Sequence, residues 1–194
     1  MILAAPSQMN SPPLDLSIVI PAFNEAEGLE DFHRRLAAAM APLGPWEAIY
    51  VDDGSDDPTR MLIERLRRDD PRIALVSLSR NFGKEIATTA GLDHAHGEAV
   101  IVIDADLQDP PELIPELITC WRAGFDMVYA KRRNRDGDSW MKRRTAHGFY
   151  RLMQYMGDLK LPEDTGDFRL MSRRAVDAVL QLREQHRFMK GLFA

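Results

Sequence analysis

The chain has 194 residues, of which 45% are hydrophobic and 28% are charged, and its formal net charge is −5. A globular chain of this length buries roughly 70% of the surface that it exposes when unfolded, so its core needs neither a metal ion nor a disulfide. A single cysteine excludes a disulfide framework, and no nucleic-acid partner is expected for a chain with this acidic total.

The N-terminal segment and the cysteine bear on localisation. Residues 1–15 carry no cationic segment and their apolar run ends at Pro6, so they predict a loose leader rather than a signal peptide. No apolar stretch reaches the roughly 20 residues that a membrane-spanning helix needs. Cys120 lies in the helical segment 116–124, where we expect a buried structural thiol in a reducing, cytosolic compartment.

Five short β-rich segments alternate with longer segments of helical periodicity. The β-rich segments are 16–20, 47–51, 73–79, 99–104 and 126–132. This alternation predicts an α/β fold with a doubly wound, mostly parallel sheet. Several segments are apolar at consecutive positions, as expected for strands that helices cover on both faces.

The helices between these strands have a predicted buried face and predicted starts. Spacings of three and four define the buried face of the first helix as Leu29, Phe32, Leu36 and Met40. Polar residues that can cap helices are Asn24, Asp57 and Asp109. The last two precede a proline, which suits the first turn of a helix.

Aspartates follow two of the five predicted strands. Asp52 and Asp53 end the second strand, and Asp104 and Asp106 end the fourth. Ligands of open α/β sheets bind at the carboxyl ends of strands, and residues two apart on a strand face the same side. Asp104 and Asp106 are therefore a candidate site for Mg²⁺ or Mn²⁺ with a diphosphate. The alternative is that these acids only end strands and open turns, where aspartate is common.

Other phosphate-binding and nucleotide-binding classes fit the sequence less well. The chain contains neither the P-loop motif nor a G-x-G-x-x-G after its first strand. A sugar nucleotidyltransferase would carry an N-terminal glycine-rich phosphate loop, and VIPAFNEAEG at 19–28 is not one. A receiver-like phosphoacceptor domain would not require the D-x-D. A non-catalytic, membrane-associated binding module remains an alternative.

A strongly basic segment spans residues 131–144. Seven cationic side chains lie there beside only Asp136 and Asp138. We predict a loop, because charge and glycine replace the sheet pattern. The positive charge suits a phosphate-bearing lipid and an anionic membrane surface, although a solvated loop could carry the same residues.

Six motifs in order resemble those of one enzyme family. They are SIVIPAFNE (17–25), VDDGS (51–55), RNFGKE (80–85), DADLQDPPE (104–112), YAKR (129–132) and DTGDFRLMSR (164–173). Over residues 16–194 the chain resembles the family-2 glycosyltransferases of the GT-A fold. Within them it is most similar to the polyprenyl-phosphate glycosyltransferases, which include dolichol-phosphate mannose synthase and the bacterial GtrB-like and ArnC-like enzymes.

The resemblance implies roles for the matching residues. The nucleotide-sugar would contact Pro21, Phe23, Glu25, Asp52, Asp53, Lys84, Asp104, Ala105, Asp106 and Gln108. Metal ligands for Mg²⁺ or Mn²⁺ would be Asp104, Asp106 and Gln108. The catalytic set would be Asp104, Asp106, Arg132 and Asp167, with Asp167 a candidate base or orienting group. Arg143 and Arg144 would hold the acceptor phosphate. Phe23 as a packed aromatic and Glu25 as a helix-start acid are the simpler alternatives.

The resemblance also implies a reaction and a setting. The reaction is an inverting transfer of a sugar from a nucleotide-sugar to a polyprenyl phosphate such as undecaprenyl phosphate. UDP-glucose or a similar UDP-sugar is favoured as donor, and GDP-mannose is the alternative. The expected setting is the cytoplasmic face of the cell membrane, and a homo-oligomer is left open. Similar enzymes continue into membrane helices, so we expect a truncated chain or a different anchor.

Overall fold

The computed structural model describes residues 16–131 and 165–181. The strands are β1 (Leu16–Ala22), β2 (Trp46–Asp52), β3 (Ile73–Ser77), β4 (Ala99–Val102), β5 (Met127–Lys131) and β6 (Thr165–Ser172). The helices are α1 (Leu29–Met40), α2 (Thr59–Asp69), α3 (Lys84–Asp93), α4 (Ile114–Arg122) and α5 (Arg173–Gln181). All five predicted strands are present, and β6 is an additional one.

The six strands form one sheet in the order β3-β2-β1-β4-β6-β5. β1 pairs in parallel with β2 and with β4, and β2 pairs in parallel with β3. β6 runs antiparallel to both of its neighbours, β4 and β5. The predicted doubly wound, mostly parallel sheet is confirmed, with one antiparallel strand inserted near one edge.

Helices cover both faces of the sheet, as predicted. On one face α1, α2 and α4 pack through residues that include Phe32, Ile63 and Leu117. On the other face α3 and α5 pack through Leu92 and Val176. The predicted face of α1 is fully buried, and burying each such large apolar side chain stabilises the fold by about 1.5–3 kcal/mol.

The contact between α3 and β1 is unusually close. A Cβ atom added at Gly91 would lie 2.3 Å from Cγ1 of Val19, so only glycine allows α3 to lie this near the strand. α3 runs back across the sheet from the carboxyl ends of the strands. Its first residue, Lys84, therefore lies near the carboxyl ends of the strands, beside the aspartates.

Cys120 is exposed, which corrects the expectation of a buried thiol. α4 turns Ile114, Leu117 and Ile118 toward the core. These positions follow a spacing of three and one, along one face of the helix, and Cys120 lies outside that face. The thiol therefore makes no contribution to the core.

The predicted helix starts have mixed outcomes. Asn24 does not cap α1, because the helix begins five residues later at Leu29; Asn24 instead adopts a left-handed φ of 57° in the loop after β1. Asp57 does accept a hydrogen bond from the backbone N–H of Thr59, the first residue of α2, at 2.9 Å. A 3₁₀ turn from Pro111 precedes α4.

Within residues 16–131 and 165–181, no helix combines the length and the apolar character that crossing a bilayer requires. The predicted leader at 1–15 lies outside the described residues, so its boundary stays a prediction. Arg132, Arg143 and Arg144 of the basic segment also lie outside the described residues, so their roles stay predictions.

Candidate active site

A cleft of about 300 Å³ lies at the carboxyl ends of the strands, where open α/β sheets bind ligands. Of the residues predicted to contact a donor, those in its wall are Pro21, Phe23, Glu25, Asp53, Lys84, Asp104, Ala105 and Asp106. Four of these eight carry carboxyl groups and one carries an ammonium group. The cleft is therefore strongly acidic.

The D-x-D segment lies in the turn after β4, which ends at Val102, so the expectation that Asp104 and Asp106 share one side of a strand is wrong. Asp106 is exposed, and its Oδ1 accepts a hydrogen bond from the backbone N–H of Gln108 at 3.0 Å. Leu107 between them has a φ of 60°, a left-handed conformation that costs a leucine about 1–2 kcal/mol. Strain of this kind persists only where the surroundings maintain it, and it is common beside functional sites.

Lys84 connects Asp104 of the cleft wall with Asp167 beside the cleft. Its Nζ donates to Oδ2 of Asp104 and to Oδ2 of Asp167, both at 2.5 Å. Burial lowers the pKa of Lys84, but the hydrogen bonds to Asp104 and Asp167 outweigh it, and the pKa lies above the ordinary value for lysine. Lys84 is therefore a permanent cation in the middle of an acidic site.

The antiparallel strand β6 brings Asp167 to the site. The last pair between the two strands is Val102 of β4 with Arg169 of β6, and just beyond it Asp104 and Asp167 both accept hydrogen bonds from Lys84. Arg169 is buried, and its guanidinium donates to the backbone oxygen of Asp167 at 3.2 Å and to Oδ1 at 3.4 Å. Asp167 is thus held between Arg169 behind it and Lys84 in front.

Asp53 positions the loop that carries Lys84. Its two carboxylate oxygens accept hydrogen bonds from the backbone N–H groups of Phe82 and Gly83, each at 2.8 Å. Gly54, with a φ of 69°, packs so closely on this loop that an added Cβ would lie 2.3 Å from the carbonyl carbon of Arg80. The turn after β2 therefore holds residues 80–83 from two sides.

The loop after β1 is held by polar side chains of the loop after β2. Backbone N–H groups of residues 24, 25 and 26 donate to side-chain oxygens of Ser55, Thr59 and Asp57 at 2.8–3.2 Å. These bonds fix the backbone that presents Phe23 and Glu25 to the cleft. Phe23 is 41% exposed, so its ring is not a core residue.

Burial and the charges of neighbouring carboxylates raise the pKa values of two carboxyl groups of the cleft, Asp104 and Glu25. Burial raises the pKa of Asp104, Lys84 lowers it in part, and the charges of Asp167 and Asp106 raise it again. Burial also raises the pKa of Glu25, followed by the charges of Asp106 and Asp104. A divalent cation would relieve this repulsion.

The carboxylate oxygens of Asp104 and Asp106 fit a hard cation that takes its remaining ligands from water and diphosphate. Oδ1 of Asp104 and Oδ2 of Asp106 accept no hydrogen bond from any described residue. Among those residues, no group of three or more acidic, histidine or cysteine side chains is arranged to hold a metal ion alone. Two carboxylates with water and diphosphate oxygens is a usual arrangement for Mg²⁺.

The remaining predicted residues are less central. Asp52 is buried outside the cleft wall, and its carboxylate accepts from the N–H of Ser55 at 3.1 Å and the hydroxyl of Ser77 at 3.3 Å. Gln108 is exposed in the turn after Asp106. The predicted phosphate ligands Arg132, Arg143 and Arg144 lie outside the described residues.

Sequence reasoning assigned no role to Asn81 or Arg169. Asn81 lines the cleft, and it lies in the motif RNFGKE, whose position after a strand was the available signal. Arg169 lies in the motif DTGDFRLMSR, but its contact with Asp167 depends on β6, which the sequence did not predict.

The sequence model of the family described as glycosyl transferase family 2 matches residues 17–180. The chain belongs to this family. It is 53% identical over 182 residues to an uncharacterized glycosyltransferase of Synechocystis sp., a match that covers 93% of this chain and 57% of the relative. It is 46% identical over 183 residues to the bactoprenol glucosyl transferase of Shigella phage SfV, covering 93% of this chain and 59% of the relative. This family 2 glycosyltransferase therefore spans less than two thirds of the length of these relatives.

A solved structure supports the fold. The mannosyltransferase PcManGT of Pyrobaculum calidifontis, in complex with GDP-Man and Mn²⁺, matches 90% of this chain and 50% of its own length with a TM-score of 0.61 at 22% identity. The family 2 glycosyltransferase described here has the GT-A fold, as its sequence motifs predicted.

Proposed function

We propose that this chain contains the donor-binding half of a metal-dependent, inverting enzyme that transfers a hexose from a nucleotide-sugar to a polyprenyl phosphate. The donor proposed is UDP-glucose or a similar UDP-sugar. The reaction would take place at the cytoplasmic face of a membrane. The observation that carries the proposal is the pair Asp104 and Asp106 in a cleft that Lys84 and Asp167 also reach.

The charge of the cleft argues for a metal-dependent donor. A nucleoside diphosphate is an anion, and four carboxyl groups in the wall would repel it. Lys84 alone does not balance that charge. A divalent cation held by Asp104 and Asp106 would neutralise charge on the diphosphate as it leaves the sugar.

The other residues supply positions. Phe23, held by the braced loop after β1, offers a ring face to a base, and Lys84 offers an ammonium group to a phosphate oxygen. Asp167, which accepts a hydrogen bond from Lys84, is proposed to orient the acceptor or to accept a proton. Arg132 is proposed to reach phosphate beside the metal.

The acceptor proposal rests on the bactoprenol-acting relative and on the basic segment. A phosphate monoester titrates near pH 6, so a lipid phosphate already presents an anionic oxygen near neutrality and needs little help from a base. Arg143 and Arg144 are proposed to hold this phosphate. A single in-line displacement then inverts the anomeric carbon.

Donor binding can be tested with a thermal-shift panel of UDP-glucose, other UDP-sugars and GDP-mannose, each with Mn²⁺ or EDTA. A ligand that binds only the native state raises the melting temperature through RT ln(1 + [L]/Kd). We expect a shift with a UDP-sugar and Mn²⁺ that EDTA abolishes. Asp106→Asn should lose the shift, whereas Asp69→Asn, the same change at an exposed position of α2, should keep it.

The acceptor is tested by transfer of radiolabelled sugar into the organic phase, with nucleotide release followed in parallel. Replacing Arg143 and Arg144 together by alanine should reduce transfer to lipid phosphate steeply and leave donor affinity unchanged. Equal donor shifts with Mn²⁺ and with EDTA would contradict the metal proposal. A GDP-mannose shift without a UDP-sugar shift would replace the proposed donor.

A further inference from the structure

The ammonium group of Lys84 binds Asp104, a carboxylate that is also a proposed metal ligand. The ammonium group of Lys84 lies 2.5 Å from Oδ2 of Asp104, while Asp104 and Asp106 are the proposed metal ligands. A divalent cation on this pair would lie close to the lysine and be repelled by it. Lys84 at Oδ2 and a metal ion at Oδ1 would therefore compete electrostatically for the charge of one carboxylate, Asp104.

The position of Lys84 is determined by the scaffold. It is the first residue of α3, and the loop before it is held by both oxygens of Asp53 and by the close contact at Gly54. On the other side Arg169 holds Asp167 so that Oδ2 faces the ammonium group. Lys84 thus reaches Asp104 from a backbone that has little freedom to move away.

We propose that Lys84 keeps divalent cations from binding tightly to the aspartates on their own and makes metal binding depend on the diphosphate. The inference rests on the proposed function in one respect, since it takes the ligand of the cleft to be a diphosphate. The diphosphate carries enough negative charge to attract both cations, so it removes the competition between them. Metal and donor then bind with positive coupling, which is reciprocal by thermodynamic necessity.

Replacing Lys84 with methionine should move two affinities in opposite directions. Mn²⁺ alone should bind about tenfold more tightly, a change within the usual range for coupled sites, because the charge that repels the metal ion is gone. UDP in saturating Mn²⁺ should bind more weakly, because a cation that contacts phosphate is lost. Damage to the structure would weaken both, so the opposite signs identify the proposed role.

The experiment titrates Mn²⁺ into the protein without nucleotide, following free Mn²⁺ by electron paramagnetic resonance, and titrates UDP by calorimetry. Lys84→Gln accompanies Lys84→Met as a second neutral variant, and Lys84→Arg, which keeps the charge, should retain wild-type Mn²⁺ affinity. Arg68→Met is the control for net charge. Arg68 is exposed near the end of α2. Because α2 leads into the start of β3, Arg68 lies toward the amino ends of the strands, away from the cleft at their carboxyl ends.

Unchanged or weaker Mn²⁺ binding in both Lys84→Met and Lys84→Gln would overturn the proposal. A wild-type protein that does not bind UDP would count against the proposed donor instead, because the metal titration contains no nucleotide.

Discussion

Replacing Gly54 with alanine tests whether the turn after β2 holds the loop that presents Lys84. An added Cβ would lie 2.3 Å and 2.6 Å from the carbonyl carbon and Cα of Arg80, and 2.7 Å from the backbone nitrogen of Asn81. All three atoms belong to the backbone, so the clash cannot be relieved by rotating a side chain. The residue also has a φ of 69°, which costs alanine about 1–2 kcal/mol.

A second glycine separates these two costs. Gly124, after α4, has a φ of 103° and no atom within 4 Å of an added Cβ, so Gly124→Ala measures left-handed strain alone. Overpacking a tight contact typically costs about 1–3 kcal/mol, so Gly54→Ala should destabilise the protein by that much more than Gly124→Ala. The free energies of unfolding are measured by urea denaturation at constant pH and temperature. Equal losses in the two variants, with unchanged UDP affinity in both, would refute the idea that Gly54 braces the loop.

Further predictions concern His33, Asp53 and Cys120. Burial lowers the pKa of His33 below its usual 6.5 despite Asp70, so its neutral form contributes stability that is complete above pH 6.5 and is lost as pH falls toward the folded pKa. Denaturation at several pH values should show a loss of up to about 1.4 kcal/mol per pH unit that His33→Gln reduces. Asp53→Asn places an amide NH₂ at a buried position against one of two part-buried N–H groups and should cost about 1–3 kcal/mol in urea, most of it absent from Asp69→Asn. Cys120→Ser should change the unfolding free energy by less than about 0.5 kcal/mol, because the thiol is exposed; a loss near that of a buried residue would contradict this.

The parallel part of the sheet could be predicted because its strands are buried on both faces. Residues 16–20 and 99–102, for example, form short and nearly continuous apolar runs, which are typical of strands that helices cover on both faces. The helix face with Phe32 followed from spacing in the same way. The exposure of Cys120 was also readable, because it falls outside the apolar positions of α4.

β6 could not be predicted by the same reasoning. Its sequence, TGDFRLMS, places Arg169 between two fully buried apolar residues, Phe168 and Leu170. The strand therefore shows neither a continuous apolar run nor an alternation of buried apolar and exposed polar residues. Arg169 is tolerated there because the backbone and carboxylate of Asp167 accept its hydrogen bonds. Pairing with β4 and β5 joins residues about 70 and 40 positions apart, and local sequence carries little information on such contacts.

The acidic pairs after β2 and β4 look alike in sequence, but their hydrogen-bond partners give them different uses. Both oxygens of Asp53 are engaged by backbone N–H groups of the neighbouring loop, and Asp52 is engaged by Ser55 and Ser77. Asp104 and Asp106 each give one oxygen to a contact at the site and keep the other without a hydrogen bond from the described residues. A carboxylate whose oxygens are already used by the backbone organises a loop, whereas one with an open oxygen in a cleft can bind a cation. The first pair therefore builds the site, and the second pair is the one expected to act in it.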